Sequence, residues 1–242
     1  MVRAAAKLRH VGLFPVPHLC ARHLESAAQL EELAARLAGY AGVDRILLVG
    51  GDRVKPLGPF DSSLAVMQTG VFQKAGIRRV AVAGFPEGNP NISNGALDAV
   101  LGAKVNFARS AGLQLSIVTQ FCFESMPIIQ WLQGIRAQGI DVPVRVGLAG
   151  PASLITLVRF AVRCGIGNSM RVLTEKPVFA KLLIEKGPES IIREIAESAA
   201  QAKTGSLPYG ISGLHFFTFG GFSKTVEWIN AVRDQQLASV QA

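Results

Sequence analysis

Charge is scarce in this 242-residue chain: Asp, Glu, Lys and Arg together make up 17% of it, where about 25% is ordinary. With 49% apolar residues besides, such a chain buries a large core, which excludes intrinsic disorder as its main state. Cysteine is scarcer still. Cys20, Cys122 and Cys164 are odd in number and far apart, which argues against a disulfide framework and points to a reducing compartment, by default the cytoplasm. No apolar run reaches the roughly 18–20 residues of a membrane span. The most apolar long segment, Pro151–Ile166, is interrupted by Arg159 and Arg163. The first residues, Met1 to Arg9, have neither the apolar stretch nor the small-residue cleavage pattern of a signal peptide.

Acidic residues are also in short supply, 17 against 25 Lys and Arg, so the formal net charge is +8 and the sequence pI is near 9.8. That balance raises nucleic acid as a partner, but no basic run exceeds two residues, and the 7% of aromatic residues form no base-stacking pattern. The excess reads instead as a solvated basic surface or as a cleft for phosphates or carboxylates. No metal is expected, because His10, His18, His23 and His215 lack ligand spacing. The stretch Gly220 to Thr225 departs from a phosphate loop, with Ser223 where Gly should precede Lys224. Neither G-x-G-x-x-G after a strand nor G-x-S-x-G occurs.

Glycine, in contrast, is plentiful at 25 residues, which suits many tight strand-to-helix turns. Short aliphatic runs alternate with longer amphipathic ones. Strands are predicted at about Phe14–Leu19, Arg45–Val49, Arg79–Ala83, Leu115–Phe121, Val142–Leu148 and Leu214–Phe219. Helices are predicted at about 26–37, after Asp61 or Ser62, and at about 97–110, 126–137, 152–164, 189–202 and 223–237. The strands read apolar throughout, as strands buried on both faces of a parallel sheet do. Right-handed crossovers then give an α/β fold, either doubly wound or a closed barrel, in a single domain spanning 1–242.

In such folds chemistry gathers at the carboxyl ends of strands. His18, Asp52, Glu87, Gln120 and Thr218 are polar residues at or just beyond those ends. Asp52 follows Gly50 and Gly51, whose backbone lets a flat ligand approach a carboxylate; capping of the turn is its structural alternative. Gln120 offers a donor and an acceptor together, suited to the edge of a pterin or flavin; a buried structural amide is the alternative. The three cysteines read most simply as small apolar core residues.

These segments are similar, in order and approximate spacing, to those of the methylenetetrahydrofolate reductases. The resemblance rests on Pro17-His18-Leu19, Leu48 to Asp52, Val82 to Pro90 with its Pro86-Glu87-Gly88, Val118 to Phe123 with its Thr119-Gln120-Phe121, and Gly213 to Thr218, and it extends from about Pro15 to Phe219. It implies a (β/α)8 TIM-type barrel carrying FAD at its carboxyl-end rim. The activity it implies is interconversion of 5,10-methylenetetrahydrofolate and 5-methyltetrahydrofolate, with NAD(P)H as electron donor, in one-carbon metabolism and methionine biosynthesis. Under it, Asp52 is the aspartate near the flavin pyrimidine and the folate, the one residue assigned a catalytic role, and Gln120 binds the pterin. His18, Gly51 and the turn Gly84-Phe85-Pro86-Glu87 contact the flavin. Lys104 matches, under the resemblance, a basic residue near the flavin phosphates, although the spacing between it and Gln120 differs.

The chain also departs from the pattern. Phe85 replaces a common Tyr, Asn89 a common His, Leu154 lies near an aromatic stacking position, and Gly220-Gly221 replace an Asn-Arg-like pair. The family's first strand, with its acidic Glu, and its second strand have no counterpart here, and residues 1–10 resemble the helix preceding the third. About six βα units are therefore expected, with an internal start of the chain as the preferred explanation. A non-catalytic folate- or flavin-binding subunit, or an inactive fragment, is the alternative reading. Expected partners are folate and NAD(P)H, with neither nucleic acid nor membrane, and a homo-oligomer is a candidate assembly.

Overall fold

The computed structural model describes residues 1–166, 175, 187–201 and 208–240. Its elements run α1 (Val2–His10), β1 (His18–Cys20), α2 (Ala27–Gly39), β2 (Arg45–Val49), α3 (Ser63–Gln68), α4 (Val71–Lys74), β3 (Arg79–Gly84), α5 (Asn94–Ser110), β4 (Gln114–Thr119), α6 (Ser125–Ala137), β5 (Val144–Ala149), α7 (Leu154–Cys164), α8 (Glu189–Gln201), β6 (Ile211–Phe217) and α9 (Phe222–Val240). The strands form a six-stranded, all-parallel sheet in chain order, β1-β2-β3-β4-β5-β6. Residue 202, predicted to end α8, lies outside the described residues, as do Lys176, Lys181 and Lys186. The chain divides into two compact units, Met1–Gly84 with Gly95–Val118, and Phe85–Asn94 with Thr119–Ala242.

In the first unit, β1 pairs with β2 through Leu19 opposite Leu48, and β2 pairs with β3 through Leu48 opposite Val82. Both faces of β2 and β3 are buried, as their unbroken apolar runs require. Ile46, Leu48, Val80 and Val82 are essentially inaccessible on one face, while Leu47, Ala81 and Val118 form a cluster on the other, with Val49 against it. Helix α2 begins where Ser26 caps it, its Oγ accepting from Gln29 N–H at 3.1 Å, and Leu30, Ala34 and Leu37 form its buried stripe. At the amino ends of the strands, Asp44 accepts from Arg79 at 2.7 Å and from Arg45 at 3.1 Å, and Arg79 donates to Gln114 at 3.2 Å. Partial burial pushes the Asp44 carboxyl up, but the Arg45 hydrogen bond and the charges of Arg45 and Arg79 outweigh it and hold it below the ordinary value.

β1 is shorter than predicted. Pro15 and Pro17 have no N–H to give a ladder, so pairing begins at His18, with only the Pro17 carbonyl accepting from Leu47 N–H at 2.9 Å. His18 therefore opens its strand, and does not close it.

In the second unit, β5 pairs with β6 from Val144–Ile211 to Ala149–Phe217. β5 starts two residues later than predicted, because Pro143 cannot donate and the Val142 carbonyl is taken by Arg136 at 3.0 Å. Arg136 also donates to the carbonyls of Ile140 and Tyr209, the latter twice, at 2.9 and 2.7 Å. One guanidinium thus joins the end of α6, the loop before β5 and the turn before β6. Ser125, buried at the start of α6, donates to Glu194 on α8. The rings of Phe121 past β4, Phe217 at the end of β6 and Phe219 beyond it meet, with Phe160 of α7 stacked on Phe219 at 4.4 Å. Phe219 is held at φ 48°, a conformation that a bulky side chain takes up only where packing enforces it.

The cysteines are free: Cys122 is buried, as predicted, whereas Cys20 and Cys164 are half-buried. Among the described residues no helix is long and apolar enough to cross a membrane. Replacing Arg136 by Leu strands three carbonyls at once, and urea denaturation is expected to register a loss of about 2–3 kcal/mol.

Candidate functional site

The first unit gathers its polar residues around the loop that follows β2. Gly51 stands at φ +95°, and a Cβ there would lie 3.2 Å from Cys20 Cβ and 3.3 Å from the His23 ring. Only glycine lets the loop turn at this position while His23 and Cys20 lie against it. Asp52 then projects into solvent, and its Oδ1 is 3.0 Å from His23 Nε2. His23 belongs to a short turn, Ala21–His23, directly after β1. That turn grips the loop by its main chain. Arg22 N–H donates to Gly50 O at 3.0 Å, its side chain donates to Arg53 O at 3.1 Å and Asp61 O at 2.8 Å, and its own carbonyl accepts from Leu57 N–H at 3.0 Å. At Gly58 the two backbones are so close that a Cβ would fall 2.2 Å from Glu25 O, so no other residue fits there without moving the loop.

Burial raises the Cys20 thiol above its ordinary value, and the nearby Asp52 charge adds to that. His18 is exposed by surface area, yet desolvation lowers its pKa. The neighbouring protein thus disfavours the charged imidazole although part of the ring meets solvent.

Lys104 is the unusual residue of this unit. It stands on the buried stripe of α5, with Leu101 one turn before it and Val105 and Ala108 beside and after it, and only 7% of its surface is accessible. A helical side chain slants toward the N-terminus, here the end of α5 that follows β3. Among the described residues it has no hydrogen-bond or ion-pair partner, and burial lowers its pKa from 10.5 to about 8.

The second unit carries Phe85, Glu87, Gln120 and Thr218. Gly84, the last residue of β3 and of the first unit, leads into the turn, which closes with Gly88 N–H donating to Phe85 O at 3.0 Å. Glu87 accepts a hydrogen bond from the buried Cys122 thiol. Burial first, and the Glu87 charge and hydrogen bond next, push that thiol well above its ordinary range. Gln120 lies past the end of β4. Its Oε1 accepts from Phe121 N–H at 3.2 Å, and its side chain hydrogen-bonds the half-buried Cys164 sulfur. Burial still raises the Cys164 thiol overall, against the opposing effects of Arg163 and Gln120. Thr218, beyond β6, gives its carbonyl to Gly221 N–H at 2.7 Å. His215 sits within β6, half-buried, edge-on to Phe217 at 4.8 Å.

The structure thus brings Asp52 and Gly51 together with two residues that sequence reasoning gave no role, His23 and Cys20. It likewise pairs Glu87 with Cys122 and Gln120 with Cys164. The only signal for His23 was its place three residues past the β1 strand end. No group of His, Cys, Asp and Glu among the described residues could hold a metal ion. No protein-family model matches the chain.

The native chain holds the Lys104 proton more weakly than the unfolded chain does. Between about pH 8 and 10.5 the unfolded state therefore binds more protons, and this residue makes stability rise with pH across that window. Below it, the buried charge costs on the order of 3 kcal/mol. Lys104→Met is expected to stabilise the ligand-free protein by about 2–3 kcal/mol at pH 7 and to remove its share of the rise, read as the difference between urea titrations of variant and wild type at pH 7 to 10.

Proposed function

We propose that this protein is a methylenetetrahydrofolate reductase-type oxidoreductase, interconverting 5,10-methylenetetrahydrofolate and 5-methyltetrahydrofolate with FAD as cofactor and NAD(P)H as electron donor. The observation that carries the reading is Lys104. Lys104 is 7% exposed and has no hydrogen-bond or ion-pair partner among the described residues, desolvation lowers its pKa to about 8, and an anionic ligand such as a cofactor phosphate would offset that penalty. The residue set fits a flavin in its polarity too: a carboxylate, a neutral imidazole and a buried cation are what its pyrimidine ring and its diphosphate call for.

When bound, the flavin would supply hydride transfer between nicotinamide and folate. The chain's own residues bind and orient. Lys104 would neutralise phosphate charge, and its ammonium becomes fully protonated once an anion lies against it. Asp52 would accept a hydrogen bond from the pterin and, by its negative charge, disfavour build-up of negative charge on the neighbouring ring. Gln120 would read the pterin edge with its amide, giving up its bond to Phe121 N–H to do so. By resemblance, His18 in the first unit and, in the second, the turn that follows Gly84 as far as Glu87 are flavin-contacting positions.

Strand order supports a barrel of the (β/α)8 type. A doubly wound sheet reverses its order at a switch point, whereas six strands in chain order with right-handed crossovers put every helix on one side. The opposite face, which includes Leu47, Ala81 and Val118, then needs closure of the sheet to cover it.

The test is spectroscopic. Full-length protein reconstituted with FAD is expected to bleach on addition of NADH and to regain its flavin spectrum with methylenetetrahydrofolate, and Lys104→Met is expected to weaken FAD binding at least tenfold. Ligand binding without turnover would favour a non-catalytic folate- or flavin-binding subunit. Absence of both flavin and folate binding would overturn the proposal.

A further inference from the structure

We infer that His23 is a positioning residue, which fixes the Asp52 carboxylate before ligand arrives. This rests on the reading of Asp52 as a ligand-facing group. Asp52 follows a Gly-Gly turn with its side chain largely in solvent, where a carboxylate has more than one rotamer open to it. Ordering such a side chain has an entropic cost, which a ligand must otherwise supply. His23 removes part of that freedom. Its Nε2 meets Asp52 Oδ1 at 3.0 Å, and its ring packs where a side chain on Gly51 would otherwise stand.

The ring is itself held. Arg22, the preceding residue, fixes the turn to Gly50, Arg53, Leu57 and Asp61 through main-chain atoms. The imidazole is thus mounted on a turn fastened at four points. A carboxylate oxygen can only accept, so Nε2 is the donor of this hydrogen bond. The pair is 45% and 61% exposed, so it adds little to folding stability. What it adds is orientation: one carboxylate oxygen engaged by imidazole and the rotamer chosen.

The experiment has one arm without ligand and one with it, both on the full chain. In 15N relaxation of the ligand-free protein, His23→Leu is expected to lower the order parameters of the Gly51 and Asp52 amides. His23→Gln, whose amide nitrogen reaches about as far as Nε2, should keep them. In equilibrium titrations, His23→Leu should weaken 5-methyltetrahydrofolate binding about tenfold, and His23→Gln should restore it to within about threefold. Both variants should melt within a few degrees of wild type. On an Asp52→Asn background, His23→Leu should cause no further loss of affinity. Unchanged order parameters, unchanged affinity in His23→Leu, or an equal loss on both backgrounds would overturn the role. If wild type binds no folate, the proposed function falls, and the order parameters alone decide whether His23 holds Asp52.

Discussion

Parallel pairing of β1, β2 and β3 is the constraint from which the first unit follows. Because Leu19, Leu48 and Val82 lie side by side in register, the segments leaving the carboxyl ends of β1 and β2 emerge next to each other. The turn at Ala21–His23 can therefore reach the loop after β2, and the contacts between Arg22, His23, Gly51 and Asp52 are consequences of that adjacency. A slip of one residue would exchange the faces of Leu47 and Leu48 and separate His23 from Asp52. Burial on both faces of β2 makes such a slip prohibitive: Leu48 is fully buried on one side and Leu47 nearly so on the other.

The same unit holds charge in two different ways. Its apolar stripe on α5 would pack better with Leu or Met at position 104 than with an ammonium, and the helix register offers no reason for a lysine there. Asp44 at the opposite end of the strands is an instructive contrast. There the carboxylate is half-exposed and hydrogen-bonded to two arginines, which is how charge is ordinarily accommodated. Charge accommodated in that way is structural. Lys104, 7% exposed and without a hydrogen bond or ion pair among the described residues, has no such accommodation.

Much of the architecture was legible from the sequence. The bounds of β2 and the Ser26 cap of α2 coincide with the aliphatic run and the capping residue that announced them, because local chemistry alone determines both. Strand ends were less legible wherever side chains intercept the ladder. β4 stops at Thr119 and not Phe121, since Thr119 Oγ1 takes the Gly147 N–H at 2.7 Å and Gln120 turns its own amide back on the Phe121 N–H. β6 looked like the buried strands but is half-exposed along most of its length, a difference in its neighbours that its own residues do not encode. His23 was illegible for the same reason. Its significance depends on a loop about thirty residues later in the chain, and only the fold brings them together.

The grip of Arg22 on the loop after β2 is made almost wholly to peptide groups: the carbonyls of Gly50, Arg53 and Asp61 and the N–H of Leu57. Side chains at 53–57 carry none of that load, and Val54 is 91% exposed. The loop's shape is thus decoupled from most of its composition. Substitutions at 54–57, proline at 57 excepted, can accumulate without disturbing these contacts, so the main-chain path beside Asp52 outlasts changes in the side chains that line it.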